Sequence, residues 1–356
     1  MGVEEELLLV EPGTGVPLAV AESALEPAEP GADQELDYEL QQQQLETNTR
    51  TCDDLGELRG ELGRGRSLAA AAAARAGARV AALATSPVPV EPELVRKGRY
   101  LRMARAFGIT AHEQLTCGCH VHVGVSSPDE GVAVLDRIRP WLPVLLALSA
   151  NSPFWQGLDS GYASFRYQAW GRWPTAGPTD AFGTAEAYQA TVRQMVGSGT
   201  LLDSGMVHFD ARLSEHYPTI EVRIADVCLY ADDAALIAAL TRGLVETEAR
   251  RWRDGAVVPG TRVEMLRLAS WRASRSGLAD VLLSPLSGRP GPAVAAAEEL
   301  FGHVRDALDE AGDTATVRAL LDAVLARGNG AAFQRATRLD RGLSAMIDRA
   351  AEVTAR

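Results

Sequence analysis

The chain has 356 residues, 46% hydrophobic and 23% charged, the balance of a soluble globular protein with ample length for a large core. Its formal net charge of −12 excludes a broad phosphate-binding surface, so nucleic acid is not an expected partner, although a local Arg cluster can still hold a small anion. Lys97 is the only lysine, so there is no Gly-Lys-Ser/Thr phosphate loop and a single candidate for Schiff-base chemistry.

Residues 3–10 read as a strand, Val3-Glu-Glu-Glu-Leu-Leu-Leu-Val10, closed by the turn Glu11-Pro-Gly-Thr-Gly15. Carboxylates in such a run are costly unless paired or bound to a cation. Alternation sends Glu4 and Glu6 to one face, about 7 Å apart, and Glu5 to the other. Alone, the run reads equally as an acidic edge strand that discourages aggregation. Residues 16–32 read as a loop, and 34–49 as a polar extended segment carrying Glu39 and Glu46. Seven positions apart, these two face opposite ways on a regular strand, so a bulge or bend is expected between them. A helix is expected over 53–84, weakened by Gly60, Gly63 and Gly65, then a loop over 85–90 and a helix over 93–107.

The clearest strand is 116–126, with Cys119, Val121, Val123 and Val125 on one side and His120, His122 and Gly124 on the other. Cys117 and Cys119 read as small core residues, because no CxxC pair or disulfide pattern occurs. An apolar helix over 131–150, kinked around Pro140 and Pro143, precedes an aromatic, Gly-rich loop over 151–177, long enough to suggest function. A helix over 185–196 and strands over 207–211 and 219–226 follow. In the second strand Ile220, Val222 and Ile224 face one way and Thr219, Glu221 and Arg223 the other. From Asp232 the pattern is helical, punctuated near Gly260, Pro285–Pro292 and Gly328–Gly330. Strands do not alternate regularly with helices, which favours an α+β fold with a mainly antiparallel sheet and helices on one side. Residues 1–356 read as a single catalytic domain, 1–230 its sheet-containing core and 231–356 its mostly helical part.

The polar faces carry Glu4 and Glu6, Glu39 and Glu46, His120 and His122, and Glu221 with Arg223. Such a carboxylate-rich set suits Mg²⁺ or Mn²⁺ better than structural zinc. Several metals beside Arg on a sheet point to phosphoryl transfer from a nucleotide. A metal-dependent amide hydrolase, with His120 and His122 on zinc and Glu221 as base, is an alternative, as is a non-catalytic protein on the same fold. No apolar run reaches membrane-spanning length and the opening is acidic, so no membrane partner is expected and the compartment expected is the cytoplasm.

Several segments, in order, resemble the second class of glutamate–cysteine ligases, the bacterial carboxylate–amine ligases of the glutamine-synthetase-like superfamily. They are Gly2-Val-Glu-Glu-Glu6, Glu39-x6-Glu46, Cys117-Gly-Cys-His-Val-His-Val-Gly124, Ser164-Phe-Arg166 with Trp170, Thr219-Ile-Glu-Val-Arg-Ile-Ala-Asp226 and Gly328-Asn-Gly-Ala-Ala-Phe-Gln-Arg335. The resemblance implies an ATP-dependent ligase with two or three Mg²⁺ ions on a curved antiparallel sheet that forms a funnel. It implies Glu4, Glu6, Glu39, Glu46, His120 and Glu221 as metal ligands, and Arg166 and Arg223 facing the transferred phosphoryl group. His122 would contact substrate or replace His120. The implied reaction turns a side-chain carboxylate, that of L-glutamate or a similar acid, into an acyl phosphate. An amine, L-cysteine or another, then attacks it. A homodimer is compatible with the resemblance, and the aromatic segment Phe154–Trp173 is the candidate lid. Ala84-Thr-Ser-Pro87, His208-Phe209 and Arg212-Leu213-Ser214 depart from the family pattern and leave the acceptor open.

Overall fold

The acidic opening run is the central strand of the sheet, not an edge. The computed structural model describes residues 1–26 and 36–356; the end of the expected 16–32 loop and the start of the expected 34–49 segment lie outside the described residues. The strands are β1 (Gly2–Val10), β2 (Leu36–Tyr38), β3 (Gln44–Asn48), β4 (Arg79–Ala81), β5 (Cys119–Gly124), β6 (Phe154–Trp155), β7 (Leu158–Asp159), β8 (Ala211–Leu213), β9 (Thr219–Val222), β10 (Val281–Leu283) and β11 (Pro290–Pro292). The main sheet runs β2-β3-β1-β5-β9-β8, with β4 also on β1, and every pairing in it is antiparallel. β1 holds β3 along Glu4–Leu8, β5 along Gly2–Glu5 and β4 along Leu8–Val10. Its second edge therefore changes partner at the acidic run.

The helices are α1 (Ala21–Ala24), α2 (Leu55–Arg75), α3 (Gly98–Phe107), α4 (Ile109–His112), α5 (Pro128–Ile138), α6 (Leu142–Ser149), α7 (Phe165–Trp170), α8 (Ala185–Gly197), α9 (Ala231–Arg253), α10 (Val263–Ser276), α11 (Ala293–Glu310), α12 (Thr314–Arg327), α13 (Gly330–Arg341) and α14 (Leu343–Thr354). Side-chain caps fix several starts: Asp54 accepts from the Glu57 N–H, Ser127 from Glu130, Thr184 from Ala187 and Asn329 from Ala332. The back of the sheet is apolar. Val3, Cys119, Val121, Ile220 and Val222 are buried in one core with Leu58 and Leu62 of α2, Leu135 of α5 and Leu236 and Leu240 of α9. Among the described residues no helix is long and apolar enough to cross a membrane.

Glu5 is the charged exception on that back face. It is 1% exposed, and Arg66 of α2 is 2% exposed. The guanidinium donates to the carboxylate from Nε at 2.9 Å and from Nη2 at 2.6 Å, and it also reaches the carbonyls of Cys228 and Leu229. One buried fork thus ties β1, α2 and the entry to α9 together.

Several boundaries differ from the sequence reading. The 53–84 helix ends at Arg75, and Gly77 (φ +73°) turns the chain into β4. The 34–49 segment is two strands joined by a turn, not one bulged strand. Within that turn and the start of β3, Gln41–Gln44 are all buried. Gln41 donates to the Ala111 carbonyl, Gln43 to Glu91 and Gln44 to Thr116, while Gln42 accepts from the Glu22 N–H. The 93–107 helix starts at Gly98, because residues 93–95 run alongside 40–42 instead. The 131–150 helix breaks into α5 and α6. The strand expected at 207–211 forms at Ala211–Leu213.

The segment expected as a lid is built of regular elements. Phe154–Trp173 contains the β6–β7 hairpin and α7, and Phe154, Arg166 and Trp173 are all buried. The segment is a packed wall.

Replacing Arg66 by Leu strands the Glu5 carboxylate in the core and should cost about 3–5 kcal/mol. Replacing both Glu5 and Arg66 by Leu should recover most of that loss, as read by denaturant unfolding of the single and double variants.

Candidate active site

The front of the sheet is polar, and its register assembles the site. Directly opposed residues share a face. The pairings set Glu46 between Asp37 and Glu6, Glu4 beside His120, and Glu221 between His122 and Arg212. Glu39 follows β2 two residues after Asp37, on the same face. Glu39 and Glu46 therefore converge from two strands of a hairpin, and no bulge is needed.

The result is two triads. One ligand atom from each of Glu4, His120 and Glu221 lies within 4.8 Å of the others, and the same holds for Glu6, Glu39 and Glu46. These are the six residues singled out in the sequence. Both triads border a cavity of about 310 Å³ on the front face. A second cavity of about 690 Å³ opens toward Met1, Asn48 and Thr219 and shares Glu4, Glu46, His122 and Tyr217 with the first. The triads stand where the two cavities meet.

The two imidazoles have different duties. His120 is buried, with Nδ1 3.1 Å from Glu4 and Nε2 3.8 Å from Glu6. The Nδ1 of His122 meets the Thr219 hydroxyl at 3.0 Å and its Nε2 meets Glu4 at 3.1 Å. His120 thus completes a triad and His122 braces Glu4. Among the described residues the groups able to hold a metal include His120 and not His122.

Burial raises the proton affinity of Glu4, Glu6, Glu46 and Glu221, and the neighbours decide the outcome. For Glu4 burial is outweighed by hydrogen bonds to His120 and His122, and its carboxyl lies below the usual range. For Glu221 burial is outweighed by Arg223 and Arg212. Glu6 stays raised by burial and then by the charge of Glu39, and Glu46 is pushed well up by burial, Glu39 and Glu4. Burial followed by Arg223 lowers His120. Crowded oxygen donors of this kind match hard divalent cations such as Mg²⁺ or Mn²⁺.

The arginines do not all stand where expected. Arg223 lines the cavity, ion-paired to Glu221, 5.7 Å from the Trp170 ring. Arg166 does not line it. Its side chain is 1% exposed, donating to the carbonyls of Ile224 and Arg223, and lies 3.9 Å from Asp226. It acts from beneath the floor, one layer below the position expected of it. Asp226 is in turn held by the Asn151 N–H and the Ser152 and Ser164 hydroxyls. On the wall itself stands Arg212, which donates to Glu221 at 2.6 Å. Sequence reading missed it as a site residue because the strand was placed at 207–211. The signal was present: Arg212 alternates between Ala211 and Leu213 as a polar residue on a half-buried strand does. His208, Trp170 and Trp173 also line the cavity. Burial and then Arg223 and Arg212 hold the His208 imidazole well below its usual range.

Fold and site together define a class, the ATP-dependent ligases that form amide bonds. The chain belongs to glutamate–cysteine ligase family 2, whose model matches residues 1–344. It is 54% identical over 337 residues to a Streptomyces avermitilis protein described as "Putative glutamate--cysteine ligase 2-1", covering 94% of this chain and 93% of that one. It is 52% identical over 337 residues to "Putative glutamate--cysteine ligase 2" of Streptomyces coelicolor, with the same coverage. Among solved structures, glutamate–cysteine ligase of Francisella tularensis in complex with AMP shares the fold. The TM-score is 0.71 at 13% identity, over 99% of this chain and 87% of that one.

Gly118 makes the floor possible. A Cβ there would overlap Arg166 Nη2 and come within 3.0 Å of His120 Nε2. Gly118→Ala should displace one or both and lower the rate of ADP formation by about a hundredfold, the scale of an ångström-level misplacement. Circular dichroism of the same protein should show the fold retained.

Proposed function

We propose that the chain activates a side-chain carboxylate, that of L-glutamate in the first instance, as an acyl phosphate and passes the acyl group to an amine. L-cysteine and other amines are the candidate acceptors. The convergence of Glu4, His120 and Glu221 and of Glu6, Glu39 and Glu46 into two triads at the meeting of two cavities carries this reading. Each triad would hold one Mg²⁺, with Mn²⁺ as a substitute. Such ions neutralise the phosphates of ATP and favour in-line transfer.

The chain's own residues do the rest. Arg223 presents a guanidinium to the phosphoryl group in transfer, and Arg166 adds positive potential from below. His122 holds Glu4 in its triad. Trp170 and Trp173 form a wall that limits water, which an acyl phosphate requires to survive. In the first step a carboxylate oxygen of the acid attacks the γ-phosphorus and ADP leaves. In the second the amine nitrogen attacks the acyl carbon, phosphate leaves, and the nitrogen gives up its proton. Of the helices after residue 230, α9 packs on β5 and α14 on β4, and α10 to α13 pack on other helices of the chain, so residues 1–356 act as one catalytic unit. Action on small soluble substrates is compatible with a cytoplasmic setting.

The test is a screen of acids against amines with the purified chain. ADP release that requires both partners, with one phosphate per amide, is the expected result; amide hydrolysis without ATP would overturn the reading. Glu6→Gln and Glu221→Gln should each fold normally yet lose turnover by about a hundredfold or more. The rise in melting temperature that Mg²⁺ gives the wild type should shrink in both. Full activity in either variant would remove that residue from its triad.

A further inference from the structure

His208 and the indole N–H of Trp173 have no part in the chemistry above. His208 is 7% exposed and Trp173 2%. Both line the cavity, with ring centroids 5.5 Å apart, and Trp170 covers His208 at 4.7 Å. Neither nitrogen of His208 has a hydrogen-bond partner among the described residues, and neither does Trp173 Nε1 or Arg223 Nε. Indole and guanidinium nitrogens only donate, and a neutral imidazole carries one donor. Buried donors without an acceptor are rare and costly, and several of them in one corner share one remedy, an acceptor brought in from outside.

The surrounding field selects the kind of acceptor. Arg212, Arg223 and Arg99 all line this cavity. Arg212 is engaged by Glu221 and by the carbonyls of Gly205 and Val207, and Arg99 by Asp203, so they contribute positive potential more than free donors. Carboxylates line the same cavity, but the charges that bear on His208 are those of Arg223, Arg212 and Arg99, so an anion is the acceptor this corner favours. The ligase reading supplies such an anion in the α-carboxylate that each amino-acid substrate carries.

We infer that His208, Trp173 and the Nε of Arg223 form a subsite for the α-carboxylate of one of the two amino-acid substrates, with His208 as a specificity-determining residue. This rests on the ligase reading. Trp170 meets His208 edge-on and Trp173 lies tilted against it, and the nitrogens are covered, so seating the carboxylate moves one of the two indole rings slightly. The α-carboxylate belongs either to the acid or to the amine, and binding separates the two.

The experiment is equilibrium binding, without turnover, of L-glutamate and L-cysteine and of their α-carboxamides, L-isoglutamine and L-cysteinamide. The proteins are the full-length wild type, His208→Phe and Trp173→Phe. Phe at 173 keeps a ring against Phe107, which lies 5.2 Å from the native indole, so this variant removes the N–H with little change in packing. The wild type should prefer one carboxylate over its amide by about tenfold or more. Both variants should lose that preference while binding ATP as the wild type does. The amino acid that shows the preference identifies the source. No preference in the wild type, preference retained in both variants, or weakened ATP binding would each overturn the inference. A wild type that keeps the preference but makes no ADP with any acid–amine pair would sink the ligase reading and leave the subsite standing.

Discussion

The alternation of β1 is the constraint on which the site depends. The strand is buried on both faces, so each of its three carboxylates must find an answer. Glu5 finds it in Arg66, behind the sheet, in a two-bond fork that also grips the chain entering α9. A slip of one residue would bring Glu5 to the front and send Glu4 and Glu6 into the apolar core against Leu58 and Val121. The buried pair therefore does more than offset its own desolvation: it sets the register that places Glu4 beside His120 and Glu6 beside Glu46.

The C-terminal helices reach the site through polar contacts rather than by lining it. Gln334 of α13 donates to the backbone and side-chain oxygens of Asn151, each at 2.7 Å. Asn151 donates its backbone N–H to Asp226 and its amide to the carbonyls of Ala82 and Val227. Asp226 sits 3.9 Å from Arg166, under the floor. The approach is so close that a side chain at Gly330 would overlap Asn151. The Gly328–Arg335 motif is thus a clamp on a layer that holds Arg166 still, and its distance in sequence from the triads is no measure of its distance in structure.

What the sequence revealed follows from period two. β5 and β9 each alternate one apolar and one polar face, β1 does so apart from Glu5, and the three polar faces converge as alternation requires. The sequence hid whatever a strand pattern cannot encode. Glu39 and Glu46 looked out of phase because the chain turns between them, and the turn is stabilised by glutamines whose partners lie 20 to 72 positions away. β4 was absorbed into an alanine-rich helix because both share the same composition; only Gly77 marks the break. Arg166 carried a motif but no depth, and nothing local says that Gly118 lets it lie beneath the sheet. The aromatic segment looked mobile because its glycines and aromatics have no period, yet its rings pack on core residues far along the chain.

The charges of the site fall into two unlike halves. Arg223 and Arg212 both contact Glu221, and His120 and His122 both contact Glu4, so the two carboxylates of that triad each have partners that favour the charged form. Glu6, Glu39 and Glu46 have each other. Glu6 accepts the Gly118 N–H and Glu39 accepts the Leu40 N–H, and two backbone dipoles do not balance three carboxylates. That is why Glu6 and Glu46 are pushed up while Glu4 and Glu221 are drawn down in the same pocket. In the proposed chemistry both triads take a cation, and the second depends on its cation more, because Glu6 and Glu46 have less positive charge beside them. Two of the arginines that line the cavity, Arg212 and Arg223, stand on the Glu221 side, the half where the proposed phosphoryl transfer would take place.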